Sequence, residues 1–159
     1  MTVSEPAERR IIPPPLDGVD DQVFWEYLRA GEVRIQRCSS CGQWRYPPGP
    51  TCPDCLSADT GWQRIRGTGT LLAWATFHRR YFPYLPTPYT VAAVTADEGL
   101  LVCGGLRVPA GAAPYVGAPA RLEMVEAELP DGRPWAIFDW VLFAQDSGGT
   151  ECGEGGDDA

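Results

Sequence analysis

From Gly67 onward, apolar and polar residues alternate over short runs that glycine, proline and aspartate separate, a pattern typical of β-strands joined by turns. Five such runs follow one another: GTGTLLAWATFHRR, PYTVAAVTAD, GLLVCGGLRV, ARLEMVEAEL and RPWAIFDWVLF. Five strands of that length favour a small closed barrel, of which the five-stranded OB-fold is the common example. The clearest hairpin is AELPDGRPW, in which Pro130, Asp131 and Gly132 supply the turn.

A helical period precedes this β-rich region, in DDQVFWEYLRAG (residues 20–31). Phe24, Tyr27 and Leu28 recur at helical spacing with Trp25 beside them, and either of the two leading aspartates could cap the helix. The closing glycine fits a left-handed helix stop. Because so short a helix is not stable alone in water, we expect it to pack on this chain or on a partner.

The composition divides the chain into four parts. Residues 1–19 are proline-rich and are expected to form a flexible arm, and residues 20–66 hold the helix, a strand in EVRIQRC and a cysteine-rich segment. Residues 67–144 form the predicted OB-fold barrel, and the glycine-rich acidic residues 145–159 are expected to be a disordered tail. The predicted fold class is therefore α+β, mostly β, with one short N-terminal helix.

The formal net charge of −8 is unevenly distributed, because the tail carries five of the 21 acidic residues and no basic one. The nearly balanced remainder argues against sequence-independent nucleic-acid binding, which requires excess positive charge. No apolar run is long enough to span a bilayer, so no membrane association is expected. The first residues lack a secretory pattern, so we expect a cytoplasmic, reducing location in which disulfides do not persist.

Four cysteines form two C-x2-C pairs in CSSCGQWRYPPGPTCPDC: Cys38, Cys41, Cys52 and Cys55. Two such turns direct four thiolates at one point, which suits tetrahedral zinc; disulfides and an iron centre are the alternatives. A site with four thiolates has no open position for water or substrate. The sequence therefore predicts a structural Zn²⁺ and not a catalytic one, so residues 20–66 are predicted to comprise the helix and a zinc ribbon.

The remaining candidate chemistry is sparse. Cys103 lies in the run LLVCGG and is expected to be a small buried apolar residue, while Cys152 lies in the acidic tail. A nucleophilic Cys103 would need a base, and His78 is the only histidine in the chain. An independent enzyme that uses His78 as its base is the weakest of the functional hypotheses, because no second acid or nucleophile is evident.

The order of these motifs is more specific than any one of them. FWEYLRAG, CSSCG, PP, CPDC, W, GTGTLLAWATFHR and PYTVAAVTADEG resemble, in this order, a family of small zinc-ribbon plus OB-fold proteins associated with acyl-CoA metabolism. The resemblance covers about residues 20–143 and implies a rubredoxin-like ribbon on the four cysteines. One departure is Gly49, which stands where the family often has an arginine, with Arg45 earlier in the chain.

The resemblance implies a non-catalytic accessory subunit of a thiolase-like acyl-CoA enzyme. Its members accompany thiolases, acyltransferases and steroid side-chain retro-aldolases, and a retro-aldolase is our preferred specific hypothesis, with an acyltransferase complex as an alternative. The expected partner is a thiolase-fold subunit, with acyl-CoA at a shared site. By itself this chain is not expected to be an enzyme, because the sequence contains no evident catalytic set.

The predicted contact surface lies in HRRYFPYLPTPY, between the first two barrel strands. Arginine and aromatic side chains are enriched at interface hot spots, and arginines also bind phosphates such as those of CoA. The candidates for partner or CoA contact are Arg79, Arg80, Tyr81, Phe82, Tyr84 and Tyr89, together with Phe24 and Trp25 of the helix. The alternative for the loop residues is an ordinary solvated strand end whose aromatics fold onto the barrel.

The second functional class is a single-stranded nucleic-acid-binding module. OB barrels bind such strands by stacking bases on barrel aromatics within a positive groove. Trp74, Phe77, Phe138 and Trp140 are the candidates for that platform. The acidic balance of the chain disfavours this alternative.

Overall fold

The computed structural model describes residues 18–81, 86–129 and 131–143. Helix α1 (Val19–Arg29) is followed by β1 (Arg34–Cys38), β2 (Trp44–Arg45), β3 (Thr60–Arg64), β4 (Thr68–Phe77), β5 (Tyr89–Ala96), β6 (Leu101–Arg107), β7 (Pro119–Glu128) and β8 (Pro134–Leu142). The prediction of a mostly β chain with one short helix is confirmed. The two sheets, a small ribbon and a closed barrel, divide the strands between them.

The ribbon sheet has the order β2-β1-β3, and both of its pairings are antiparallel. The barrel closes in the order β4-β5-β6-β8-β7, which confirms the five predicted strands. Its pairings are antiparallel except for β6 with β8, where Gly105 lies opposite Asp139 in a parallel ladder. The β7–β8 hairpin turns where the sequence predicts it, with Gly132 at φ 85° and its N–H bonded to the carbonyl of Leu129; Pro130 lies outside the described residues.

Helix α1 begins differently from the sequence prediction. Gly18 is its N-cap, no side chain caps it, and Asp20 and Asp21 lie in the first turn, where they favour the positive end of the helix dipole. The predicted stop is confirmed, since Gly31 has φ 80° and its N–H bonds to the carbonyl of Leu28. Within the described residues, no helix is both long and apolar enough to cross a membrane.

One continuous apolar core joins the helix, the ribbon and the barrel. Phe24 of α1 and Ile35 of β1 belong to the same buried cluster as Leu71, Val102 and Trp140 of the barrel. The helix therefore packs in its own chain, which is the first of the two alternatives for it. Because the core is shared, the ribbon and barrel support each other.

The barrel depends on a close approach at Gly69, where β4 lies between β5 and β7. A Cβ at this position would lie 2.5 Å from the carbonyl oxygen of Thr95 and 2.9 Å from the Cα of Ala96. Backbone atoms in a paired strand cannot move aside easily. We expect Gly69→Ala to lower the free energy of unfolding by about 1–3 kcal/mol, measured by urea denaturation.

The matched control for this variant is Gly61→Ala in β3, because a Cβ at Gly61 would meet nothing within 4 Å. This control is expected to stay within about 0.5 kcal/mol of the wild type. Equal stability of Gly69→Ala and Gly61→Ala would show that the strand contact at Gly69 relaxes without cost.

Candidate metal centre and partner surface

The four predicted metal ligands converge at one end of the ribbon. Their Sγ atoms all lie within 4.8 Å of one another, with Cys38 and Cys55 3.6 Å apart and Cys41 and Cys52 also 3.6 Å apart. Zinc with sulfur at 2.3 Å in a tetrahedron requires S···S separations of about 3.8 Å. The cluster therefore fits zinc with little adjustment.

Two local turns with the same geometry position the thiols. The N–H of Gly42 bonds to the carbonyl of Cys38, and the N–H of Leu56 bonds to the carbonyl of Cys52. The backbone of both Gly42 (φ 79°) and Leu56 (φ 61°) is in the left-handed conformation. The sequence predicts this conformation only at Gly42, because glycine favours it and leucine does not. Leu56 therefore accepts an unfavourable backbone conformation that the metal turn requires.

Backbone amides favour the thiolate form of the first cysteine in each turn. The N–H of Cys41, and then that of Ser40, lower the pKa of Cys38 to about 6. In the second turn the N–H of Cys55, and then that of Asp54, lower the pKa of Cys52. These amides prepare one thiolate on each side of the site for a cation.

The pKa of Cys41, the second cysteine of the first turn, is shifted in the opposite direction. The N–H of Gln43 lowers the pKa of Cys41, but the neighbouring Cys55 sulfur and burial outweigh it and raise this pKa to about 12. Crowding of the four sulfurs therefore opposes the loss of all their protons, and a cation such as Zn²⁺ offsets this effect. When bound, the zinc holds the ribbon together; its four thiolate ligands leave no position for a reacting water.

A buried amide joins the ribbon to the helix. Gln36 of β1 donates from Nε2 to Asp20 Oδ1 at 2.8 Å, and its Oε1 accepts the N–H of Gly49 at 2.8 Å. Gly49 thus contributes its backbone N–H to this network. Arg45 is only 5% exposed, and its guanidinium nitrogens have no hydrogen-bond partner in the part of the chain that the structure describes. The sequence does not predict that Gln36 is buried, because a polar residue in a strand is usually exposed.

The predicted contact loop is exposed where it leaves β4. His78, Arg79, Arg80 and Tyr81 are exposed, and the guanidinium of Arg79 lies 5.6 Å from the ring centre of Tyr81. Tyr89 is half-buried, and its ring stacks on Phe77 with the centres 4.9 Å apart. Phe82 and Tyr84 lie outside the described residues. Of the two helix candidates, Phe24 is buried in the core, and Trp25 is half-buried against Trp135.

Two family models match the chain consecutively. Residues 25–61 match the model described as ChsH2, rubredoxin-like zinc ribbon domain, and residues 62–125 match ChsH2, C-terminal OB-fold domain. The chain belongs to the ChsH2 family. This assignment confirms the resemblance and the expectation of a structural zinc in a rubredoxin-like ribbon.

Two solved structures have the same fold as this ChsH2-family chain. The Ltp2-ChsH2(DUF35) aldolase aligns with a TM-score of 0.70 and 30% identity, over 80% of this chain and 98% of that one. A DUF35-family protein of unknown function from Sulfolobus solfataricus aligns with a TM-score of 0.54 and 14% identity, over 79% of this chain and 87% of that one. The second likeness shows the fold alone.

Two curated relatives are much longer. A probable enoyl-CoA hydratase alpha subunit of Thermomonospora curvata is 33% identical over 138 residues, which cover 82% of this chain and 42% of the relative. The 3-oxo-4,17-pregnadiene-20-carboxyl-CoA hydratase alpha subunit of Mycobacterium tuberculosis is 29% identical over 126 residues, which cover 79% and 39%. The chain spans about two-fifths of the length of the curated relatives it matches.

The structure corrects the interpretation of Cys103 in this ChsH2-family chain. Cys103 is exposed and not buried, because strand alternation turns its neighbour Val102 into the barrel. It also lies far from His78. Cys103 shares a ladder row with Ala93, whereas His78 follows Phe77, and four residues of β5, about 13 Å, separate the two rows. The structure does not bring this thiol and imidazole together.

The aromatic platform suggested for nucleic acid is also wrong. Phe138 and Trp140 are buried in the barrel, Phe77 is half-buried against Tyr89, and only Trp74 of the four is exposed. Bases cannot stack on rings that the barrel encloses. The four aromatics therefore belong to different surroundings and form no common face.

Proposed function

We propose that this chain is a non-catalytic accessory subunit of a thiolase-like acyl-CoA enzyme. The observation that carries the proposal is the similarity to the Ltp2-ChsH2(DUF35) aldolase, which extends over 98% of that chain. Both curated relatives are named as subunits of acyl-CoA enzymes. In the proposed complex, the partner performs the chemistry.

The site geometry favours an accessory role for this chain over a catalytic one. The four cysteine sulfurs close the zinc site, and the exposed Cys103 lies far from His78. The exposed Arg79 and Arg80 can bind a partner carboxylate or the phosphates of CoA through charge-assisted hydrogen bonds. The chain would stabilise the partner, order its active-site surface or shape the acyl pocket.

The specific reaction that we propose is retro-aldol cleavage of a steroid side-chain acyl-CoA. The aldolase name of the similar structure and the pregnadiene carboxyl-CoA name of one relative support this choice. A second candidate is a hydratase complex, because both curated relatives carry that name. No observation favours the acyltransferase alternative over these two.

Co-expression tests the proposal directly. We expect the chain to co-purify with a thiolase-like protein from the same organism, and acyl-CoA cleavage to require both proteins. Each protein alone is the control, and a hydratase-like protein offered in parallel, with water addition as the assay, distinguishes the second candidate. Absence of a complex together with unchanged turnover would remove the accessory-subunit proposal.

A further inference from the structure

Among the described residues, strand β4 is paired along only one of its edges over most of its length. It pairs with β7 only through Thr68, Gly69 and Thr70. Leu71 then exchanges hydrogen bonds with the β6–β7 loop, donating to the carbonyl of Ala118 and accepting from the N–H of Gly117. Leu72 lies at a bulge, and from residue 73 to 77 β5 is the only strand that pairs with β4 in the described part of the chain. This leaves backbone groups on the other edge available to a further strand.

Large apolar side chains cluster at this edge. Leu72 is 50% exposed and Trp74 39%, while Tyr115 and Val116 of the adjoining loop are 59% and 66% exposed. Val116 directly precedes Gly117, whose N–H bonds to Leu71, so the loop adjoins the strand at the start of this edge. We call residues 72–77 with Tyr115 and Val116 the edge strip. An exposed edge of this kind normally carries charges, prolines or bulges that prevent pairing. Residues 72–77 carry no charge and no proline, and the bulge at Leu72 lies at the start of the strip and leaves residues 73–77 regular.

The charge around the edge strip is of one sign. Residues 67–96 and 99–122 contain no aspartate or glutamate, although the chain has 21 acidic residues. His78, Arg79 and Arg80 follow the strip directly and are exposed. Tyr81 packs edge-on against Phe77 with the ring centres 6.4 Å apart, and Arg79 lies over Tyr81. The apolar strip therefore ends in a basic cluster that complements an acidic group.

We propose that the edge strip docks an extended segment of the thiolase-like subunit, which adds to β4 as a further strand. Its apolar side chains cover Leu72 and Trp74, and a carboxylate near its end pairs with Arg79 and Arg80. Such strand addition combines backbone hydrogen bonds with side-chain pockets. The inference rests on the proposed function and specifies its interface.

Other occupants fit the edge strip less well. In a two-fold pairing of β4 with a second copy, the arginines of one chain would lie beside Leu72 and Val116 of the other, where no carboxylate is present. The chain's own acidic tail, QDSGGTECGEGGDDA, has no large apolar side chain to cover Trp74. The three consecutive prolines of the N-terminal arm lack the N–H groups that a strand needs.

The test compares variants inside and outside the edge strip. Leu72→Lys, Trp74→Lys and the double variant Arg79→Glu/Arg80→Glu are expected to raise the Kd for the thiolase-like subunit at least about tenfold. The matched controls are Leu101→Lys, an equally exposed leucine on β6, and Arg64→Glu, an exposed arginine of the ribbon. Both controls are expected to bind within about twofold of the wild type. Far-UV circular dichroism verifies that each variant is folded.

Hydrogen exchange on the wild-type complex supplies an independent measurement. Amides in residues 72–77 that do not donate to β5 are expected to exchange fast in the free chain and slowly in the complex. If the wild type binds but neither the strip variants nor these amides respond, the inference is wrong while the proposed function stands. If the wild type does not bind at all, both fail.

Two further outcomes would assign the strip to another occupant. A concentration-dependent dimer of the isolated chain that Trp74→Lys abolishes would identify a second copy. Protection of the same amides by a 20-nucleotide deoxythymidine strand would identify nucleic acid. Either result would overturn the inference.

Discussion

Cys38→Ser is expected to reduce the zinc content from about one ion per chain to near zero and to unfold the ribbon. Cys38 is buried at the end of β1, and its Sγ lies 3.6 Å from that of Cys55. Structural zinc in zinc-finger peptides contributes about 10–16 kcal/mol of apparent binding free energy, which is coupled to folding. Metal analysis and amide exchange over residues 34–64 measure the two effects. Cys55→Ser is expected to behave in the same way.

Unfolding is expected to be centred on the ribbon and to destabilise α1 and the barrel without unfolding the barrel, because the three share one core. Phe24 of the helix loses the part of its core that Ile35 of β1 supplies, while Trp25 keeps its contact with Trp135 of β8. The barrel keeps its closed ladder of five strands and its own buried side chains. We therefore expect amides of β5 and β8 to remain protected in Cys38→Ser.

The matched control is Cys103→Ser, because Cys103 is an exposed thiol outside the metal cluster. It is expected to retain full zinc and native amide protection. A Cys38→Ser protein that lacks zinc and still protects residues 34–64 would contradict a folding role for the metal.

Trp140→Ala is expected to lower the free energy of unfolding by about 3–5 kcal/mol, the usual cost of removing a large buried aromatic side chain. Trp140 is fully buried, and its Nε1–H donates to the carbonyl of Val102 at 3.2 Å. The loss combines reduced apolar burial with an unfilled cavity. The free energy is measured by urea denaturation of the zinc-saturated protein, followed by far-UV circular dichroism.

Two further variants provide comparisons for Trp140→Ala. Trp140→Phe keeps most of the ring volume and loses the hydrogen bond, so a smaller cost is expected. Trp74→Ala removes a tryptophan that is 39% exposed and is expected to cost clearly less than Trp140→Ala in the isolated chain. A cost below about 1 kcal/mol for Trp140→Ala would mean that the barrel core does not depend on this side chain.

Comparison of the two tryptophans shows where sequence patterns stop being informative. Trp74 and Trp140 both lie in apolar strand patterns, yet one is exposed and the other fully buried. The difference arises because β4 continues beyond its three-residue pairing with β7, whereas Trp140 pairs with Leu106 on β6 and Leu122 on β7. Strand pairing between distant segments is not encoded in the local alternation.

The same limit applies to polar positions. Gln36 lies between Ile35 and Arg37 in a short strand, and alternation alone assigns it to solvent or to a polar environment. Its full burial depends on Asp20 and Gly49, two residues from other segments that satisfy its amide. Cys103 is the opposite case, since it is predicted to be buried and is exposed. LLVCGG is apolar on both faces, so the sequence does not indicate which face the barrel encloses.

The sequence by itself determined the features that depend on neighbouring residues: the helix and its stop at Gly31, the two cysteine turns with their zinc chemistry, and five barrel strands. Short-range spacing controls each of these, through backbone periodicity or the geometry of a C-x2-C turn. The tertiary structure alone decided the strand order β4-β5-β6-β8-β7, the burial of Gln36 and the edge of β4 that no described strand pairs with beyond Thr70. These features depend on which remote segments pack together, because burial and edge pairing are properties of the assembled core.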